Sequence, residues 1–240
     1  MKKISVVIIM VVFFLSFLRA GEDILNLTRI ENQSKDFARE QMEGVLELFA
    51  SILNTGLFAP LCGDPFSLGI QGNFAPVKKK GVLSDASLSL LSIPFVYAGM
   101  KFSVAGPIRL MARGFVLPLK GKSIQAFGLG AGWENEFAPS FITTVLLSYH
   151  QVQHFPYLSI NSLGGNIMAS LHNSYMIVPF LSLGYNYTVL DTDIQISAGE
   201  KFFMEGSKFQ MSLGLKLVFL VLEAGLVPTN TISMSAGFSF

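Results

Sequence analysis

Apolar residues recur at every second position along most of this chain, and the residues between them are small or uncharged. In the closing stretch Ile232, Met234, Ala236, Phe238 and Phe240 alternate with Ser233, Ser235, Gly237 and Ser239. The same period sets Val96, Ala98, Met100 and Phe102 against Tyr97, Gly99 and Lys101. It sets Leu110, Ala112 and Val116 against Arg109, Met111, Arg113 and Phe115, and Leu181, Leu183, Tyr185 and Tyr187 against Phe180, Ser182, Gly184 and Asn186. Such alternation marks β-strands, whose successive side chains leave opposite faces of the backbone. The second face is the unusual one. A soluble sheet covers it with charge, but here it carries Ser, Gly, Asn, Gln and Thr, with an occasional Lys or Arg. Between Phe137 and Leu190 there is no Asp, Glu, Lys or Arg at all.

The chain is 51% hydrophobic and only 14% charged, with a mean hydropathy of +0.52. Membrane-spanning helices do not explain this, because Pro139, Pro156 and Pro179 and the clusters around Asn161 and Asn173 interrupt the charge-free run. A helical span needs about twenty mainly apolar residues in a row. In a bilayer every backbone N–H and C=O must be paired internally, so strands can span only as a closed barrel. The expected fold is therefore an all-β transmembrane antiparallel barrel. Period-two segments fall near 66–76, 84–93, 95–104, 107–117, 123–133, 140–151, 158–171, 176–189, 193–203, 207–217, 218–227 and 230–240. That predicts about twelve strands, with ten to fourteen as the bracket. Near Leu217 the apolar phase slips by one position with no Gly, Pro or Asn to mark a turn, so a bulge or tight turn belongs there. Charge gathers instead at Lys78–Lys80, Lys120–Lys122, Glu134–Glu136 and Asp191–Asp193, which read as turns and loops.

The amino-terminal region differs. Lys2 and Lys3 precede an apolar run from Ile4 to Leu18, the pattern of a secretory signal peptide over residues 1–20 with cleavage after Ala20. Removing Lys2, Lys3 and Arg19 from the 17 basic residues leaves 14 against 16 acidic, a net charge of −2. Neither figure carries the basic excess that nucleic-acid binding needs. Ala38, Met42, Val45, Phe49, Ile52 and Leu53 recur at helical spacing, with Ser34 placed as N-cap and Gly56 beyond the end. The spacing predicts one amphipathic helix over 34–54, inside a periplasmic or plug segment covering 21–64, before a barrel over 65–240. No second helix is available to cover its apolar stripe. Inward-facing Phe115, Phe127 and Phe180 would do so if the helix enters the lumen.

Several stretches resemble an uncharacterised family of bacterial outer-membrane β-barrel proteins. They are Ile52–Phe58 ("ILNTGLF"), Arg109–Pro118 ("RLMARGFVLP"), Ala126–Phe137 ("AFGLGAGWENEF") and Ser212–Val227 ("SLGLKLVFLVLEAGLV"). The resemblance covers about residues 40–240. The carboxyl-terminal strand, with Phe238 and Phe240, resembles the signal that marks outer-membrane barrels for insertion. It implies location in the outer membrane of a two-membrane bacterium, contact with its lipid, and recognition of the last strand by the barrel-assembly machinery.

Chemistry is harder to find. The single cysteine, Cys62, excludes an internal disulfide framework. His150 and His154, four apart on a strand, stand about 13 Å from one another, too far to share a metal. With His172 they read as polar loop and girdle residues rather than catalytic ones. No metal or cofactor is expected and no enzyme activity. Gly128, Gly130 and Gly132 share one strand face, which suits close packing against a helix or lumenal side chain. Lys101, Arg109, Arg113, Lys216 and Glu223 lie opposite the apolar stripe, and a charge facing lipid at mid-membrane costs about 2–4 kcal/mol, so they should point into the lumen. There they would form either a basic constriction or ligand site, or a set of ion pairs with Glu223 or the helix acids Glu40, Glu43 and Glu47 that holds a plug. The expected function is a porin-like channel or transporter for small, even hydrophobic, solutes. The alternatives are a structural barrel without transport and, last, a lipase-like outer-membrane enzyme.

Overall fold

The computed structural model describes residues 27–240 except 62–64, 87–88, 103–106, 120–121, 156–157, 173–176, 198, 228–229 and 240. The signal-peptide segment 1–20 and the terminal Phe240 thus lie outside the described residues, as do Cys62, Tyr157 and Tyr175.

The strands close on themselves. β1 (Phe66–Pro76), β2 (Leu90–Phe102), β3 (Ile108–Leu119), β4 (Lys122–Ala138), β5 (Phe141–Phe155), β6 (Leu158–Leu171), β7 (Ile177–Gln195), β8 (Lys201–Leu217), β9 (Leu220–Val227) and β10 (Thr231–Ser239) pair in sequence order. β10 then pairs with β1, from Phe74↔Ile232 to Ser67↔Ser239, and every pairing is antiparallel. No edge is left over, as a lipid environment requires.

The barrel has ten strands, not about twelve. Two pairs of expected segments are single strands. Pro94 separates the expected segments 84–93 and 95–104, yet it lies within β2. It pairs with Gly72 of β1 but stands beyond the last β2–β3 pair, Val96↔Gly114, where its missing N–H costs no ladder bond. Residues 204–206 separate the expected segments 193–203 and 207–217, but β8 takes in the end of the first and all of the second, with Gly206 opposite Thr188, while 193–195 close β7. At the phase slip, Leu217 pairs with Leu220 across a two-residue turn, and Val218 takes a left-handed φ of 49°.

Helix α1 (Lys35–Asn54) is capped by Ser34, whose Oγ accepts the Phe37 N–H at 3.4 Å. It ends before Gly56, which adopts φ 75° and turns the chain into a short helix α2 (Phe58–Leu61). A helix with its side chains is about 10–12 Å across. An eight-stranded barrel has room only for its own side chains, and ten strands enclose more. α1 occupies that space and packs against β1, β6, β7 and β8, while α2 rests on β1, β2 and β3. The wall thins where the chain passes: a Cβ at Gly99 would collide with the Pro60 carbonyl, and one at Gly206 with the Leu46 side chain.

Two rims follow from the register. The near rim carries the start of β1, the end of β10 and the connections 139–140 and 218–219. The far rim carries the long β1–β2 connection and the segment before α1. There Arg29 bonds Asp85 at 2.8 Å, and Asn32 donates its N–H to Gln195 at 3.1 Å.

Along each long strand the apolar face changes sides. In β6 Leu158 and Ile160 are buried inward and Ser159 and Asn161 face out; further along, Leu163, Ile167 and Leu171 face out and Ser162, Asn166 and Ser170 face in. β5 does the same: Val152 and Phe155 point in, whereas Val145, Leu147 and Tyr149 point out. The far third is thus built like a soluble protein around a core, and the near two thirds like a membrane span.

Candidate functional site

The outer surface sets the membrane position. Trp133, Phe137, Phe219 and Phe238 are exposed toward the near rim, and Phe127, Tyr149, Tyr185, Tyr187 and Phe209 form a second exposed ring further up. Phe127, expected in the lumen, belongs to this ring. On β7 the apolar outer face runs from Ile177 to Tyr187, about eleven residues, the length of one bilayer-spanning strand. Beyond it the outer face turns polar at Asp191 and Asp193, and Asp193 bonds Lys201 of β8 at 2.7 Å. These acids are strand residues, not the loop expected.

The lumen is layered. Its far third is a hydrophobic core in which Met42, Val45, Phe49, Ile52 and Leu53 of α1 pack on Ile93, Phe95, Ile124, Val152, Phe155, Ile160, Leu190 and Phe202 of the wall. Phe49 meets Phe155 edge-on at 5.3 Å. Nearer the opposite rim a smaller core joins Leu57, Phe58, Ala59 and Leu61 to Tyr97, Met111, Leu146 and Phe180, with Phe58 stacked on Phe180 at 4.0 Å.

Between the two cores lies a belt of buried polar side chains that receives the end of α1. Asn73 Nδ2 donates to the carbonyls of Ile52 at 2.7 Å and Thr55 at 2.8 Å. Gln210 Nε2 donates to the Asn54 carbonyl at 2.8 Å, and the Thr55 and Thr231 hydroxyls meet at 2.8 Å. Arg113 completes this set. Its guanidinium bonds the Leu53 carbonyl, the Thr55 carbonyl at 2.9 Å and His150 Nε2 at 2.8 Å, and lies 4.7 Å above the Phe95 ring. The last carbonyls of a helix have no partner within it and carry its negative dipole end, so a cation is favoured there. Four strands round the wall, on β9, Glu223 accepts the Ser212 hydroxyl at 2.8 Å and faces the backbone N–H groups of Gly56 and Phe58. Arg113 therefore takes the carbonyls of the turn after α1, and Glu223 its N–H groups.

All five charges singled out in the sequence occupy the inward phase, but they do not form one patch. Lys101 and Arg109 face each other across β2 and β3, and both bond Glu134 of β4, Lys101 at 3.0 Å. Glu134 had read as a loop residue; it is an inward strand residue in phase with Gly128, Gly130 and Gly132, a signal present in the sequence. Those glycines leave room for His150, Met111 and Thr144 respectively, where a Cβ would otherwise press. Lys216 lies near His172, whose pKa is held below the ordinary imidazole value by burial first and by the Lys216 charge second. His172 shares a 3.1 Å hydrogen bond with Ser170. Of the helix acids, Glu47 takes other partners: it bonds Lys208 at 2.9 Å and approaches Lys78 at 3.8 Å. His150 is no loop residue but fully buried in the lumen, while His154 is exposed at the end of β5. Asn73, Gln210, Asn54 and Thr55 were not anticipated as seat residues, because their types are common throughout the inward face. Among the described residues no group of three or more His, Cys, Asp or Glu side chains is placed to hold a metal.

A closed antiparallel wall, an apolar outer belt and two aromatic rings define a transmembrane β-barrel of the outer-membrane type. No family model matches the sequence, and no curated protein matches it. Among solved structures, a KdgM porin in complex with disordered oligogalacturonate aligns at 8% identity and a TM-score of 0.36, over 72% of this chain and 99% of that one. The outer-membrane protein Omp33 of Acinetobacter baumannii aligns at 9% and 0.25, over 73% and 98%. Ail, the attachment invasion locus protein of Yersinia pestis, aligns at 10% and 0.22, over 72% and 93%.

Proposed function

We propose that this protein is an outer-membrane β-barrel held shut by its own helix, a closed and structural unit in its resting form. The observation that carries the reading is the seating of α1. Its apolar stripe is buried in the far core, its last turn and the residue after it are held by Arg113, Asn73 and Gln210, and the turn that follows is held by Glu223. The reading assigns the barrel no catalytic role. The far rim, with its polar collar and longest connection, faces the cell exterior, since outer-membrane barrels keep their shorter turns on the periplasmic side.

Reconstitution of the full chain into planar bilayers tests the proposal. Silence at low voltage across several salts is expected; steady ohmic steps would overturn it. A second reading, gated passage of small solutes, is favoured by the polar belt, because Ser162, Ser182, Thr188, Ser233 and Ser235 would line an aqueous route if α1 left. It requires that displacement of the helix produce conductance in a barrel that is silent when intact.

A further inference from the structure

Every strand of the wall has two neighbours, but β8 outruns one of them. Its pairing with β7 runs from Ile177↔Leu217 to Gln195↔Lys201. Its pairing with β9 starts only at Met211↔Val227. Residues 201–210 of β8 therefore have β7 on one side and no strand on the other. In an antiparallel ladder successive residues turn their N–H and C=O groups to opposite sides, so about half of this run points its backbone groups at the open side. Tyr187, which ends the apolar outer face of β7, pairs with Ser207, so residues 201–207 stand beyond the bilayer in the polar collar.

β2 and β3 also part toward the far rim, beyond Val96↔Gly114, but that gap is covered by its own residues. Pro94 has no N–H to leave unpaired, and the Phe95 and Phe115 rings pack edge-on at 5.7 Å. Residues 201–210 contain no proline and form the longest such run among the described residues. Beside them lies helix α1, and an open cleft of about 490 Å³ separates it from residues 204–208. Asp36, Glu40 and Glu43 line the cleft from one face of the helix, with Arg39 beside them. All four are exposed, although Met42 and Val45 next to Glu43 are fully buried. On the strand side, Lys208 is taken by Glu47, and the Glu205 carboxylate accepts the Tyr187 hydroxyl. Three helix carboxylates against one guanidinium leave the helix side of the cleft negative.

A long open strand edge is a template for another chain. We propose that the open edge of β8 takes an extended, basic segment of another protein as an added strand. Backbone groups of residues 201–210 supply the pairing, and the cleft selects the charge. Lysine or arginine at every second position of the added strand would stand about 7 Å apart on the cleft side. Asp36 and Glu40 are about 6 Å apart along the helix axis, so neighbouring cations meet separate carboxylates. Binding at this edge does not require that the barrel conduct.

The test uses the full chain in detergent micelles and three fluorescein-labelled decapeptides. One alternates lysine with threonine. A second has the same sequence with every backbone nitrogen methylated, which keeps the charge and removes the N–H donors. A third alternates glutamate with threonine. Saturable binding of the first alone is expected, with slower amide hydrogen exchange within residues 201–210 in its presence. Glu40→Gln combined with Glu43→Gln should weaken that binding about tenfold, the effect of two exposed ion pairs. Equal binding of the methylated peptide, or binding that leaves exchange in residues 201–210 unchanged, would overturn strand addition. No binding, or equal binding of the glutamate peptide, would overturn the proposal as a whole. Dimeric barrels in which residues 201–210 are protected before any peptide is added would overturn it in favour of a second copy of this chain.

Discussion

Arg113 and Glu223 lie deep in the lumen, and each bonds the turn after α1 rather than serving as a free lumenal charge. Replacing Arg113 by Gln would strip a donor from the Leu53 and Thr55 carbonyls and leave Glu223 without its counter-charge. Removing one partner from a buried charged arrangement costs about 3–5 kcal/mol. Arg113→Gln is therefore expected to lower the temperature at which the barrel loses its folded gel mobility, and an unchanged transition would mean that the guanidinium does not hold the helix. Val218 makes the opposite prediction. A β-branched residue at φ 49° is strained, and Asn tolerates that region far better. Val218→Asn should stabilise the barrel by about 1 kcal/mol, read as a shift of the urea midpoint at constant slope.

At the scale of elements, the helix is held mainly by the far core. Truncating Phe49 removes a ring that packs edge-on against Phe155 in the centre of that core. Phe49→Ala should cost about 3–5 kcal/mol and make α1 accessible to protease in folded barrels; retained protection would contradict the packing described. Much of this was legible beforehand. The helix limits at Ser34 and Asn54 follow from capping chemistry and spacing, and the inward direction of Lys101, Arg109, Arg113, Lys216 and Glu223 from the strand phase. The strand count was less legible, because Pro94 and Gly206 are turn residues by composition and strand residues by context. The expected segment 123–133 also stopped short of Glu134–Glu136, which read as a loop because of their charge although they belong to β4. Which polar residues receive the helix was not legible at all. The inward face repeats Ser, Asn and Gln in every strand, and only closure of the wall decides which of them meet Asn54 and Thr55.

For the whole molecule, α1 runs through the barrel from the far rim toward the near one. Leu27 and the segment after it therefore sit at the far rim, and the end of β10 at the near rim. The proposed orientation puts these on opposite sides of the membrane. In a Cys62→Ala background, Lys79→Cys should react on intact cells with a membrane-impermeant maleimide. Ala138→Cys should react only after permeabilisation, and the reverse pattern would invert the orientation.

The chain's own helix fills the lumen, and a cross-link at the contact between Leu46 of α1 and the Gly206 position of β8 puts that arrangement to experiment. Leu46→Cys and Gly206→Cys, combined in the Cys62→Ala background, would be oxidised in native membranes and read as a mobility shift on a non-reducing gel. Near-complete cross-linking of the folded barrel, lost on reduction, is the expected result. Folded barrels in which both cysteines stay free and react separately with maleimide would contradict it.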